Sequence, residues 1–420
     1  RGTSATPMAS WTASDGRLSM QGFDVEGGDL VVGGRRLSAL VAEVGQTPFY
    51  AYDRQRIAHR VAEVRAALPS GVDLHYAIKA NPMPELLAFM APMVDGLDVA
   101  SAGEMQRALA AGMAPGAISF AGPGKRASEL DAAVAAGVLV NVESFRELPL
   151  LAEASARHGR PARVAVRVNP DFELRGAGMR MGGGAKPFGV DTEQVPALLR
   201  AIATAGQQFE GFHLYAGSQM LKGELLAQAT LATGELLLRL SADAPAPVRH
   251  LNLGGGWGIP YFSNEQALDL APVTAALATV QDRVGRALPG ARLQVELGRY
   301  LVGEAGVYVA QVLDRKVSRG QVFLITDGGL HHHLAASGNF GQVIRRNYPV
   351  AIGNRMGTAE REVVSIVGPL CTPLDLLAER VELPVAQPGD WVVVFQSGAY
   401  GASASPQAFL GHPPCAEVLV

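Results

Sequence analysis

The residues with chemistry in them recur at regular intervals along the chain. Lys79 closes the stretch VDLHYAIK. Asp98 and Ser101 stand in LDVASAGE, and Arg167 and Asn169 in VAVRVNP. Tyr215, Gly217 and Ser218 follow in FHLYAGSQ, then Gly254, Gly255 and Gly256 in LNLGGGWG. Glu296, Gly298 and Arg299 stand in QVELGRY. A lysine amine held among apolar walls forms Schiff bases with carbonyl compounds. The N–H groups of a glycine run, with a serine hydroxyl and an arginine, hold a phosphate. A carboxylate facing a heteroaromatic ring keeps its nitrogen protonated. Each group also has an ordinary use. Asp98 suits the cap of a helix beginning near Ala102, Arg167 an interior ion pair, and the glycines a tight turn. Gly254, Gly256 and Gly258 alternate, but without the spacing of a dinucleotide-binding loop.

The elements that position these groups follow from periodicity. Strand-like runs occur at 72–78, 95–99, 117–121, 138–142, 162–168, 209–214, 248–253 and 292–296, with Ala- and Leu-rich helical stretches between them. In the first run, alternation puts Leu74, Tyr76 and Ile78 on one face and Asp73, His75, Ala77 and Lys79 on the other. A small and polar second face suits a crowded interior. Strands and helices alternating this way predict a closed (β/α)8 TIM-like barrel, whose chemistry gathers at the C-terminal ends of its strands. All six polar sets lie at that rim. After residue 303 the runs become β-branched and separated by Gly, Pro and Asp, which predicts an all-β domain. The expected organisation is a barrel over 48–303 and a β-sandwich or barrel built from 22–47 and 304–420. Residues 1–21 are expected to be a flexible N-terminus or an added remnant without a signal-peptide core.

The bulk composition narrows the function. The chain has 420 residues, 48% hydrophobic and 18% charged, and a formal net charge of -3. No Lys or Arg run suggests nucleic acid, and no apolar run reaches the ~18 residues of a membrane span. Cys371 and Cys415 form neither a disulfide framework nor a metal-ligand spacing, so a reducing, cytoplasmic setting is expected. His331, His332 and His333 are adjacent on an expected loop and make a poor metal cage, so no metal is expected.

Lysine, phosphate cradle and ring-facing acid together describe pyridoxal 5′-phosphate (PLP). The motifs YAIKAN, GSQ, GGG, ELGR, GPLCTPLD and GAY lie between residues 30 and 415. In order and approximate spacing they resemble those of the fold type III PLP decarboxylases, the group of diaminopimelate, ornithine and arginine decarboxylases. Within it, the chain looks most like members associated with exosortase systems, and is similar to those acting on aminoacyl groups carried by an acyl carrier protein. The resemblance implies an alanine racemase-like barrel with a C-terminal all-β domain, and decarboxylation through a Lys79 Schiff base and a quinonoid. It places Glu296 on the pyridine nitrogen and Gly254, Gly255, Gly256, Ser218, Gly298, Arg299 and Tyr400 around the phosphate end. Asp98, Arg167 and Tyr215 line the cofactor. Cys371 protonates the carbanion, and Arg299, Thr372, Asp375 and Tyr400 reach the substrate. A homodimer with active sites at its interface is implied as well. An amino acid racemase of the same fold is the alternative, opposed by Glu296 and the GPLC motif. A non-catalytic PLP-binding relative is another, opposed by the retention of Lys79, Glu296, Arg299 and Cys371.

Three positions depart from the pattern. Tyr215 stands where relatives usually stack a histidine on the cofactor ring, and an aromatic face still stacks. Thr372 follows the cysteine where relatives carry an acid that meets a distal ammonium. The segment DGGLHHHLAASGNF has no arginine before Arg345 for a substrate carboxylate. Two missing charge-assisted contacts, at ~1.5–3 kcal/mol each, disfavour free diaminopimelate. They point to a larger or less charged amino acid derivative, such as one tethered to a carrier protein. The glycine-rich stretch 174–191 reads equally as a lid or a solvated loop.

Overall fold

The computed structural model describes residues 12–14, 17–173 and 178–420, with residues 12–20 and Arg180 described by their backbone alone. Eight parallel strands form the barrel: β1 (Asp73–Ala77), β2 (Gly96–Val99), β3 (Ile118–Phe120), β4 (Leu139–Val142), β5 (Arg163–Asn169), β6 (Gln208–His213), β7 (His250–Gly255) and β8 (Arg292–Leu297). Each pairs with the next, and β8 pairs back onto β1, so no edge is left. Every residue of β1, β2, β3 and β4 is buried. This is why these strands read as nearly unbroken apolar or small runs rather than as surface strands.

Local signals set the helices that cover the barrel. Ser101 caps Ala102–Ala110, its Oγ accepting from the Glu104 amide at 3.1 Å. Val195–Thr204 buries Val195, Leu198, Leu199 and Ile202, one stripe at helical spacing. Seven helices join successive strands, and Arg54–Ala67 precedes β1. After β8 the chain makes only the short helix Arg299–Val302.

The chain divides into two compact units. One holds His59–Ile259 and Gln266–Leu301, and the other holds the described residues up to Ala58 with Pro260–Glu265 and Val302–Val420. The second unit is all-β around the long strand Gly306–Ser318, which pairs with Gln321–Thr326, Trp391–Val394 and Phe49–Tyr52. Its core gathers Phe23, Leu30, Phe49, Val309, Phe395 and Val420 from distant parts of the chain.

Two boundaries differ from those expected. Phe49–Tyr52 does not open the barrel: it bonds to Gly306–Ser318 and, in parallel, to Ala416–Leu419. Its run FYAY is buried at every position, and periodicity alone cannot say which sheet buries it. Near the N-terminus, where a flexible segment was expected, Thr12–Ser14 and Arg17–Met20 pair as antiparallel strands, and Arg17–Met20 also pairs with Phe23–Glu26. The rest of 1–16 lies outside the described residues.

Candidate active site

Lys79 sits in a single turn, Ile78–Ala80, directly after β1. Its Nζ lies 4.8 Å from the centre of the Tyr215 ring. Tyr215 follows two residues after the end of β6. Glu296 projects from β8, and its Oε2 lies 2.9 Å from Nε2 of His213, the last residue of β6. Burial alone would raise the Glu296 carboxyl. The His213 hydrogen bond and charge, then the Lys79 and Arg167 cations, outweigh it and hold the carboxyl well below the usual range.

Close backbone approach explains the glycines. A Cβ at Gly254 would stand 2.5 Å from the Leu214 carbonyl oxygen, one at Gly255 1.9 Å from that of Glu296, and one at Gly256 2.2 Å from that of Gly217. Gly254 and Gly256 also have left-handed backbone, with φ of 71° and 77°. The run therefore brings the ends of β6, β7 and β8 together. The Gly254 amide is already taken, donating to Asn252 Oδ1 at 2.8 Å. At Gly298 a Cβ would meet Ala80 Cβ at 3.0 Å, so the turn into Arg299 packs against the turn that carries Lys79.

Asp98 does not cap the helix beginning at Ala102, since Ser101 does. Its Oδ1 instead meets His75 Nδ1 at 3.1 Å and accepts from Ser119 Oγ inside the barrel. Its Oδ2 is buried without a hydrogen-bond partner among the described residues. Gly96 makes room for the His75 ring, which a Cβ there would meet at 2.4 Å. Burial opposes a charge on His75, but the Asp98 charge and hydrogen bond, with Asp73 and Glu296, raise its pKa overall.

Arg167 Nη1 bonds Glu143 Oε1 at 2.8 Å and its guanidinium lies 5.2 Å from the Phe188 ring centre. Glu143 also accepts from the Gly189 amide at 3.0 Å, and Asn169 holds Gly183, Gly184 and Asp191. Met179–Arg180 pairs antiparallel with Gly217–Ser218. Residues 178–182 are thus stitched by main-chain bonds to the GS turn, while 183–191 are held by Asn169, Glu143 and pairing with β5. Residues 174–177, the rest of the expected lid or loop, lie outside the described residues.

The all-β unit carries the remaining expected site residues. Cys371 is exposed. The Thr372 hydroxyl accepts from the Leu374 amide at 3.3 Å. Tyr400 has left-handed backbone, φ 53°, and its ring centre lies 6.1 Å from that of Phe340. Asp375 is not a free substrate group. Its Oδ1 accepts from the Leu330 amide at 2.6 Å and its Oδ2 from the Leu370 amide at 2.8 Å, so it staples two loops. Arg345 is likewise committed within its unit, to the Ser337 and Leu376 carbonyls and to Asn347. His331, His332 and His333 are buried rather than displayed on a loop. His332 bonds the Pro413 carbonyl and His333 bonds Ser397 Oγ, each at 2.8 Å.

Several residues escaped the sequence reading. His213 lies inside the run 209–214 that leads to Tyr215, two residues on, and its place at the strand end is the signal that could have found it. Lys125, Glu143 and Glu147 occupy the ends of β3 and β4, where no group had been named. Lys125 Nζ bonds the Gly122 and Asn141 carbonyls at 2.8 and 2.7 Å and Glu147 at 3.2 Å. Nothing local in that stretch distinguishes a buried cation from a surface one.

The barrel residues fit PLP. An amine over an aromatic face, a buried ionised carboxylate and a three-glycine close approach are the donor set this cofactor needs, and all stand at strand ends of one barrel. Residues 54–303 match the model of the pyridoxal-dependent decarboxylase family's pyridoxal binding domain. The chain is 39% identical over 380 residues to the L-glutamyl-[BtrI acyl-carrier protein] decarboxylase of Niallia circulans, covering 89% of each. It is 32% identical over 400 residues to the diaminopimelate decarboxylase of Aquifex aeolicus, covering 94% of this chain and 91% of that one. Among solved structures, diaminopimelate decarboxylase of M. jannaschii in complex with L-lysine superposes with a TM-score of 0.83 at 26% identity, covering 95% of this chain and 92% of the other. A closed barrel with this set of groups, in a chain this similar to them, belongs to the pyridoxal-dependent decarboxylases and is a PLP-dependent enzyme of that family.

Proposed function

We propose that this decarboxylase removes the α-carboxylate of an aminoacyl group carried on an acyl carrier protein, or of a similarly large and weakly charged amino acid derivative. The observation that carries this reading is the fate of Arg345. It is the first arginine after the DGG stretch, and its guanidinium bonds the Ser337 and Leu376 carbonyls and Asn347. Those bonds commit three of its five N–H donors inside its own unit, which supports a structural role for it rather than a grip on a substrate carboxylate. Thr372, uncharged, stands beside Cys371 where an acid would hold a distal ammonium. The similarity to the carrier-protein decarboxylase of Niallia circulans supports the same substrate class.

Bound PLP supplies an electron sink for the pair left behind when CO2 departs. Lys79 is the amine that attaches it. Glu296 would hold the ring nitrogen protonated, and Tyr215 would offer its aromatic face to the ring. Ser218, Gly255, Gly256, Gly298, Arg299 and Tyr400 would hold the phosphate end, and Asp98 and Arg167 would line the site. Cys371 delivers the proton that replaces CO2 on the α-carbon, and Arg299, Thr372 and Tyr400 face the substrate. The left-handed backbone of Tyr400 supports a functional role, because such strain gathers at active sites. The enzyme works as a homodimer in which Cys371 serves the partner's barrel, in a reducing, cytoplasmic setting. Val343, Ile344 and Leu374, all exposed and apolar, support a buried interface in the unit that carries Cys371.

The test is CO2 release across a panel of free amino acids, diaminopimelate and carrier-bound aminoacyl groups. Faster turnover of a carrier-bound substrate than of its free counterpart is expected. Efficient release of lysine from meso-diaminopimelate would overturn the substrate assignment.

A further inference from the structure

The His213–Glu296 contact crosses the barrel interior. The two residues lie in β6 and β8, with β7 between them, where Asn252 stands opposite His213 and Gly255 opposite Glu296. Both are buried, and their separation is 2.9 Å. His213 Nδ1 is buried without a hydrogen-bond partner among the described residues. An ionised carboxylate can only accept, so the His213 Nε2 nitrogen carries a proton and donates it to Glu296 Oε2. The contact occupies Oε2, while the Glu296 side chain keeps 8% of its surface exposed against 2% for His213. The other charged or titratable groups acting on this carboxylate are Lys79 after β1, Arg167 in β5 and His75 in β1.

We infer that His213 is a positioning residue for Glu296: its Nε2–H fixes Oε2, keeps the carboxylate ionised, and so maintains a protonated ring nitrogen in the bound cofactor. It touches neither reacting atom. The inference rests on reading Glu296 as the ring-nitrogen partner, and the test separates the two.

Cofactor-stripped protein carrying 13C-carboxyl glutamate is titrated by NMR as wild type, His213→Ala and His213→Gln, with the Glu296 signal identified by its loss in Glu296→Gln. Loss of a hydrogen bond to a charged group, ~1.5–3 kcal/mol, raises the Glu296 midpoint by ~1–2 units. The His213→Gln amide, still a donor, returns most of that shift and also serves if His213→Ala does not fold. The same proteins are then loaded with PLP labelled with 15N in the ring. In His213→Ala the ring nitrogen gives up its proton at lower pH than in wild type, and kcat falls with it. A Glu296 midpoint unmoved in both His213 variants overturns the inference, whatever happens to kcat. If Glu296→Gln leaves the 15N signal unchanged, the ring-partner reading fails instead, while the carboxyl titration still decides what His213 does.

Discussion

Both ends of the barrel carry charge, but they handle it differently. At the N-terminal ends of the strands, Arg163 grips Glu210 with two hydrogen bonds of 2.7 and 2.8 Å, and Gln208 and His250 join the same carboxylate. Arg292 pairs with Asp73 there, its side chain 55% exposed against 12% for Asp73. Each of these pairs has one member with access to water. At the C-terminal ends, Lys125 and Glu147 are each only 1% exposed, and Arg167 with Glu143 and His213 with Glu296 are nearly as buried. Burial there pushes Lys125 down and Glu147 up, so desolvation outweighs their attraction. Buried polar atoms also go without partners at that end, Asp98 Oδ2 and His213 Nδ1 among them. The N-terminal end is wired for stability. The C-terminal end holds charge in an apolar setting, which a purely structural barrel would not need and a cofactor site does.

The contrast can be broken most severely at Lys125. Glu147→Ala would leave that ammonium buried and uncompensated, and a loss of ~3–5 kcal/mol in folding stability is expected from denaturant unfolding. Replacing both partners with apolar residues should restore most of it. At the same end, Glu296→Ala should lower kcat by ~10²–10³, or ~2.7–4 kcal/mol. Near-normal turnover would remove Glu296 from the chemistry.

At the other end the readout should be pH. Burial works to raise the Glu210 carboxyl, but hydrogen bonds and charges from His250 and Arg163 pull it down from 4.5 to about 2. A depressed carboxyl contributes stability above its unfolded pKa and loses it as pH falls, here between about 4.5 and 2. Glu210→Gln should flatten that acid limb without changing kcat. Inside the barrel, level with Glu296, His75 has the opposite sign. Its pKa is raised from 6.5, so its contribution is full below that value and fades as pH rises through the folded pKa. A His75→Asn variant should lose the alkaline slope alone. The smallest effect is expected at Arg292→Ala, whose exposed guanidinium should be worth under ~1 kcal/mol in chemical unfolding. A larger loss would mean that the N-terminal end is not solvent-relieved as argued.

Much of the site was legible before any coordinates. Lys79, Tyr215, the three glycines and Glu296 each follow or end a strand whose alternation or apolar run marks it, and strand ends in a parallel barrel share a rim. The partners of these groups were less visible. Asp98 reads as a cofactor-lining residue with a helix cap as its ordinary alternative, and neither reading names its contacts to His75 and Ser119. Asp375 looked like a substrate group because its two amide contacts, to Leu330 and Leu370, come from loops whose folding leaves no periodic trace. Phe49–Tyr52 was assigned to the barrel because a short buried apolar run suits either sheet.

Taken alone, the chain's residue pattern determined the number and order of the barrel strands and the rim on which lysine, glycines and acid would meet, since side-chain periodicity is set by the backbone within a few residues. Only the tertiary structure decided which distant groups share a proton or a charge. His213 and Glu296 are 83 residues apart, Lys125 and Glu147 22, His75 and Asp98 23. Those pairings depend on the stagger with which the sheet closes on itself, and hydrogen bonding, effective only over about 3 Å, has no way to register that stagger in local sequence.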